Sequence, residues 1–190
     1  MKGERMKKKT VYQGFFSLDI IETSAGTREV LRTTDSVSIL IYDSVNRRIV
    51  LVRQSRAAMM TDENPQGLIT ETVAGRIDKQ WKLEDIIIDE VLKESGISIT
   101  KDDIIMLNHG KPMALSAGAI TELCYLACAV ITPDQMEAED RVYGDPEEGE
   151  QTTRVFVSVD ELDTYMCEDM CAFALIQFLQ RFLADGKGSK

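Results

Sequence analysis

At 190 residues the chain is long enough for one domain with an appendage, built around a sizeable core. Its hydrophobic content of 44% is that of a soluble globular protein, and its formal charge of −10 argues against nucleic acid or an anionic membrane as the main partner. An anionic nucleotide stays open, because a metal site and a few local arginines override the global field at short range.

The basic start from Met1 to Lys9 is followed by no signal-peptide apolar core, and no apolar run is long enough to span a bilayer, so a cytoplasmic protein is expected. Residues 10–21 carry the aromatic and β-branched bias of a strand, Ser24 to Gly26 reads as a hairpin turn, and Arg28 to Thr33 as the return strand. Val37 to Tyr42 and Ile49 to Arg53 predict two further strands, and Leu68 to Val73 runs as a strand into a glycine loop at Gly75. Leu83 to Glu94 is the first clear helix. Strands are expected at Asp102 to Leu107, Glu122 to Ile131 and Arg154 to Val159, with an acidic polar loop over 133–151. A short helix begins at Val159, an amphipathic one covers Met170 to Leu183, and the tail from Asp185 frays. Many strands and few helices in mixed order predict an α/β fold in which a sheet lies between helices.

Cys124, Cys128, Cys167 and Cys171 form two C-x3-C pairs. A four-thiolate metal site is one reading. Cys124 and Cys128 fall in a predicted buried strand, however, and structural zinc pairs usually come from turns with C-x2-C spacing, so buried free thiols are the expectation.

Glu90 and Glu94 stand four apart on one face of the predicted helix, where two carboxylates repel each other. A divalent cation reverses that sign, since magnesium takes one or two carboxylates together with phosphate and water oxygens. Gly75 upstream permits a tight turn that exposes the Ala74 carbonyl. The same spacing also fits a solvated acidic helix face, the commoner meaning of helical charge.

The run from Glu71 to Gly75, followed by Glu90, Val91, Glu94, Gly96 and Ile97, resembles the Nudix box, a glycine loop, helix and loop, with the Gly75 to Gly96 spacing unbroken. Residues 12–19 resemble the ADP-ribose pyrophosphatase branch of that family, and residues 35–42 followed by 51–56 resemble the same branch and its UDP-sugar relatives. Ala114 to Glu122, with Gly118, resembles its Ser-Pro-Gly-Gly-x-Thr-Glu loop without the proline, and Glu147 to Glu150 its late acidic loop. The resemblance implies a Nudix α/β/α sandwich with a mixed sheet over 35–185, an N-terminal β-hairpin arm within 1–34 and a frayed tail over 186–190. It implies Mg2+, with Mn2+ as a substitute, held by the Ala74 carbonyl, Glu90 and Glu94. It implies Glu150, or failing that Glu148, as the group that activates water, Arg56 on a diphosphate, and Glu71 and Gly118 at the substrate pocket. It further implies a homodimer through the N-terminal strands. The implied activity is hydrolysis of a nucleoside diphosphate-sugar, ADP-ribose first and a UDP- or GDP-sugar next. The alternative is a nucleotide-binding sensor that has lost catalysis. The lone His109 sits beside a glycine in a predicted loop and is expected to be incidental.

Three box positions depart from the pattern: Trp81 replaces the first glutamate, Asp89 the arginine, and Lys93 the first glutamate of the Glu-Glu pair. Asp89 and Lys93 lie four apart, so the helical ion pair is kept with its charges reversed, worth only about 0.2–0.5 kcal/mol. An ammonium cannot ligate magnesium. Lys93 is therefore expected to face a phosphate and replace one metal's charge, giving fewer metal ions and slower turnover. Trp81 could close one side of the pocket, but it is expected to anchor the loop by burial.

Overall fold

The computed structural model of the chain describes residues 7–138, 141–147 and 149–186. In chain order it contains strands β1 (Lys8–Gln13), β2 (Ser17–Thr23), β3 (Gly26–Arg32), β4 (Ser36–Asp43), β5 (Arg48–Ser55), β6 (Leu68–Glu71) and β7 (Val73–Arg76), then helix α1 (Leu83–Ser95). Strands β8 (Ile104–Met106), β9 (Met113–Ala114), β10 (Leu123–Ile131) and β11 (Thr153–Ser158) follow, and helix α2 (Met170–Ala184) ends the order.

The N-terminal arm is a three-stranded antiparallel sheet, β1-β2-β3, rather than the expected two-stranded hairpin. The stretch 10–21 read as one strand because its composition is uniformly β-forming. It breaks at Gly14–Phe16, where the Gly14 N–H donates to the Phe16 carbonyl at 2.9 Å and the chain reverses. At the centre of this sheet lies Asp19, fully buried, which accepts from Thr10 Oγ1 at 2.7 Å, pairs with Lys8 Nζ at 3.0 Å and is met by Arg32 Nε.

The main sheet runs β11-β5-β4-β10-β8, with β6 added to β5, β7 to β4 and β9 to β10. All pairs are antiparallel except β4 and β10, which run parallel from Ser36↔Cys124 to Asp43↔Ile131. Leu68 to Val73, expected as one strand, divides at Thr72 so that β6 and β7 pair different neighbours.

Strand β4 places apolar side chains on both of its faces because both are covered. Val37, Ile39 and Ile41 join Ile86, Ile87 and Val91 of α1 in one core. Leu40 and Tyr42 join Leu175, Ile176 and Leu179 of α2 in the other. β10 divides in the same way, Ala127, Ala129 and Ile131 to the first core and Leu126, Cys128 and Val130 to the second. The result is the expected α/β/α sandwich.

Helix α1 opens with Glu84 and Asp85 in its first turn and closes with Lys93 in its last, charges that complement its dipole. It stops at Gly96, which takes the left-handed φ of 63°. The ring of Tyr143 lies where a Cβ on Gly96 would point, so glycine is required there twice over. Helix α2 is capped by Asp169, whose carboxylate accepts from the Ala172 N–H at 2.7 Å.

The four cysteines are free. Among the described residues no three His, Cys, Asp or Glu side chains are grouped to hold a metal. Cys128 is a buried core thiol pushed up to about 12 by burial, and Cys124 and Cys171 share a thiol hydrogen bond between β10 and α2. No helix among the described residues is long and apolar enough to cross a membrane.

Candidate active site

The edge where β4, β7 and α1 meet opens into a cavity of about 770 Å³. Its geometry starts at Gly75. A side chain there would run into the Glu90 carboxylate, so glycine is what lets α1 lie against β7 with its acidic face toward the Ala74–Gly75 backbone.

Glu94 sits one turn further along α1 and is fully buried. Its Oε2 accepts only a long hydrogen bond, 3.4 Å from the Ala74 N–H. Its Oε1 has no partner, and it is the one buried side-chain polar atom among the described residues left in that state. A buried carboxylate oxygen without a donor is costly, and it marks a place where something positive belongs. Burial, reinforced by the charge of Glu150 and opposed by Arg56, holds the Glu94 carboxyl well above the usual carboxylate range. Glu90 is pushed up to about 7, by burial first, with Lys93 and Lys79 pulling it back and Asp89 and Glu150 adding to the rise. Two carboxyls that resist ionisation side by side form a site that a divalent cation would stabilise.

Arg56, at the end of β5, forms the opposite wall. Its Nε and Nη2 donate to Glu71 Oε1 at 2.8 and 2.7 Å, and Gln54 Nε2 donates to the same oxygen at 2.8 Å. Its Nη1 lies 3.9 Å from Glu150 Oε1. Burial raises Glu71 despite the adjoining guanidinium. For Arg56, burial is outweighed by its bonds to Glu71 and by the more distant charges of Glu94 and Glu150, and its net shift is upward.

Glu150 lies on the acidic loop, which is closed at its base by reciprocal 2.9 Å hydrogen bonds between Tyr143 and Thr152. The loop hangs from the end of α1, since the Gly144 N–H donates to the Lys93 carbonyl at 2.9 Å and Thr152 Oγ1 to the Glu94 carbonyl at 2.6 Å. Glu150 lines the cavity with Glu90, Ala74, Arg56, Glu71 and Lys93. The structure thus brings seven of the nine sequence-derived site residues together, counting Glu94, which lies beneath them. Glu148 lies outside the described residues. Gly118 is exposed in the turn between β9 and β10 and does not line the cavity, to which that segment sends Leu115 and Glu122 instead.

Two expectations about the substituted positions change. Trp81 is 52% exposed, so it is no buried anchor, and it lies outside the cavity with Lys79 Nζ 4.6 Å above its ring. Lys93 does line the cavity, but its ammonium is engaged by Asp89 at 3.2 Å and Asp145 at 3.0 Å.

Sequence reasoning did not single out Phe15 and Phe16, which bring the arm's turn over the cavity, with the Arg76 guanidinium 4.2 Å from the Phe15 ring. The adjacent phenylalanines behind Gly14 were the available signal, hidden because the segment looked like continuous strand. Nor did it find Asp145, whose role depends on where the loop folds.

No protein-family model matches the chain. Individual proteins do. It is 27% identical over 177 residues to the ADP-ribose pyrophosphatase of Haemophilus influenzae, covering 87% of this chain and 78% of that one. It is 26% identical over 189 residues to the GDP-mannose pyrophosphatase of an Enterobacter species, covering 95% and 96%. Over a shorter 102-residue span, 54% of this chain and 50% of the relative, it is 32% identical to the GDP-mannose pyrophosphatase of Salmonella typhimurium. The chain thus combines a glycine loop seated on a helix that presents Glu90 and Glu94, an α/β/α sandwich, and similarity over most of its length, at 26–27% identity, to two nucleotide pyrophosphatases of the Nudix kind.

Proposed function

We propose that the protein hydrolyses the diphosphate bond of a nucleoside diphosphate-sugar in a Mg2+-dependent reaction. ADP-ribose is the first choice, yielding AMP and ribose 5-phosphate, with a GDP- or UDP-sugar next. The observation that carries this reading is the orphaned Oε1 of buried Glu94, one helical turn from Glu90 and opposite the Ala74 backbone. The names of the relatives, two of them GDP-mannose pyrophosphatases and one an ADP-ribose pyrophosphatase, support the substrate class.

Hard oxygen donors of this kind suit Mg2+, with Mn2+ as a substitute, and Glu90, Glu94 and the Ala74 carbonyl would hold it. Two carboxylates and a carbonyl leave the remaining positions for phosphate and water oxygens. Once bound, such an ion neutralises the diphosphate and lowers the pKa of water. The protein groups do the rest. Arg56, held in its plane by Glu71, which Gln54 fixes in turn, presents a fork-shaped cation to the diphosphate. Glu150, beside it, takes the proton from the attacking water. Phe15 and Phe16 supply flat apolar surface at the mouth, suited to a base or ribose. The fully exposed β1, with Val11 and Tyr12 open to solvent, supports a homodimer formed through the arm.

Hydrolysis of ADP-ribose, GDP-mannose, UDP-glucose and a dinucleotide, each with Mg2+ and with Mn2+, tests the reading, with Glu94→Gln as the paired control. Cleavage that disappears in the variant is the expected result. Tight ligand binding without turnover in the unmodified protein would replace the enzyme by a nucleotide sensor.

A further inference from the structure

The three positions at which the chain departs from the box are physically continuous. The Trp81 ring carries Lys79 Nζ at 4.6 Å, Lys79 Nζ donates to Asp89 Oδ2 at 3.0 Å, and Asp89 Oδ2 meets Lys93 Nζ at 3.2 Å. Lys93 Nζ then reaches Asp145 Oδ2 at 3.0 Å, which crosses from the helix to the acidic loop. All four ionic side chains of this chain are at most about one-third exposed, so their pairing is less screened than a surface bridge. The backbone carbonyl of Lys93 accepts the Gly144 N–H at 2.9 Å, so Lys93 grips the loop by two routes. Asp145 in turn accepts, through its carbonyl, the Glu150 N–H at 3.0 Å and, through its carboxylate, the Glu147 N–H at 2.9 Å.

We propose that Lys93 is a positioning residue: its ammonium is a built-in cation that latches the acidic loop to α1 through Asp145 and so sets Glu150 against Arg56. The catalytic part of this proposal rests on the hydrolase reading above, and the latch itself does not. A side-chain ammonium here does without metal what a divalent ion between carboxylates at 89, 93 and 145 would otherwise have to do. The loop is therefore closed before any ion or substrate arrives.

Hydrogen exchange on the metal-free full-length protein tests the latch directly. In Lys93→Gln the amides of Gly144, Glu147 and Glu150 exchange about fivefold faster or more, the scale of losing a well-formed ion pair. Those of β4 keep their rates. Asp145→Asn gives the same pattern, and Lys93→Arg largely restores protection. Lys93→Glu loosens the loop in the absence of metal, and Mn2+ tightens it again, which it fails to do in Lys93→Gln. In steady state Lys93→Gln lowers kcat by about the same factor and leaves KM for the substrate within about twofold, since the loop carries the general base rather than the diphosphate cation. Unchanged loop exchange in both Lys93→Gln and Asp145→Asn, or an Arg variant no tighter than the Gln variant, overturns the latch. Absent turnover in the unmodified protein, with the exchange pattern intact, overturns the hydrolase reading and leaves the latch standing.

Discussion

Two carboxylates of this molecule are equally hidden from solvent, and they live in opposite chemical worlds. Asp19, in the middle of the arm, has Thr10, Lys8 and Arg32 around it, and hydrogen bonding first to Thr10 lowers it to about 2 against the cost of burial. Glu94, beneath the cavity, has one long backbone donor and an orphaned oxygen, and burial carries it upward instead. Asp43, buried beside Asn46 and Arg48, follows Asp19: its hydrogen bonds outweigh burial and its shift is downward. Burial alone therefore does not separate a structural acid from a functional one. The count of donors does: a carboxylate that the fold has satisfied holds the fold together, and one that it has left wanting is kept for a ligand.

The most forceful way to break this contrast is Glu94→Gln. Removing a carboxylate that ligates a catalytic ion is expected to lower kcat/KM by roughly two to three orders of magnitude, several kcal/mol of transition-state stabilisation. The same change is expected to raise the melting temperature of the metal-free protein at neutral pH by a few degrees, because it relieves a penalty of about 1–3 kcal/mol for a buried carboxyl that must either ionise without a donor or hold a proton above its ordinary range. Below about pH 4.5 that gain vanishes, since the carboxyl is then protonated in folded and unfolded chains alike. Asp19→Asn, on the contrasting reading, destabilises the arm and adds nothing to the pocket. Equal effects of the two substitutions on thermal stability and on turnover would dissolve the distinction.

A pH series sharpens it. Glu90 is raised from 4.5 to about 7 in the fold, so the folded state holds its proton more tightly than the unfolded one. The contribution of Glu90 to metal-free stability is then greatest below about pH 4.5, declines as pH rises toward about 7, and levels off above it. Discounted for the partial exposure of the group, the decline is on the order of 1–2 kcal/mol. Thermal melts of Glu90→Gln should show a shallower slope, the part due to Glu94 remaining, and saturating Mg2+ should flatten it in the unmodified protein.

The smallest effect belongs to the arm and has the opposite sign. Asp19 is depressed from 3.8 to about 2, so its contribution is complete above about pH 3.8 and is lost as pH falls through about 2. Exchange rates of the β1 and β2 amides should rise over that interval while those of β4 hold. A loss of β4 protection at the same pH would show that the arm and the body unfold as one unit.

Most of the body was legible in the sequence, because both of its periodic signals are strong. The apolar run Val37 to Tyr42 requires two covered faces, and α1 and α2 cover them. Glu90, Glu94 and Gly75 were legible because helical spacing and a missing side chain are local facts. The arm was misread at Gly14, because a lone glycine followed by two phenylalanines is a weak trace of a turn inside otherwise β-forming composition. Trp81 was misread because its hydrophobicity argues for burial, while its neighbour Lys79 offers a cation that an exposed ring can hold. Lys93 was assigned toward the substrate because its partner on the loop, Asp145, lies 52 positions away in sequence and only the fold brings them to 3.0 Å. Long-range pairing of this kind has no period to read.

The parallel pairing of β4 with β10 governs how the molecule comes into being. Ser36 meets Cys124 and Asp43 meets Ile131, so the central ladder closes a stretch of chain that contains the glycine loop and the whole of α1. A parallel pair cannot be made by a short turn, and contacts so distant in sequence form late and slowly. On the ribosome, the helix bearing Glu90 and Glu94 emerges before the strand that closes its core, and the segment from Thr153 onward, which caps the other edge, emerges last. Asp145, Glu150 and Asp169, which also line the cavity, follow β10 in the chain, so the cavity is complete only after the partner strand of that central ladder has been made.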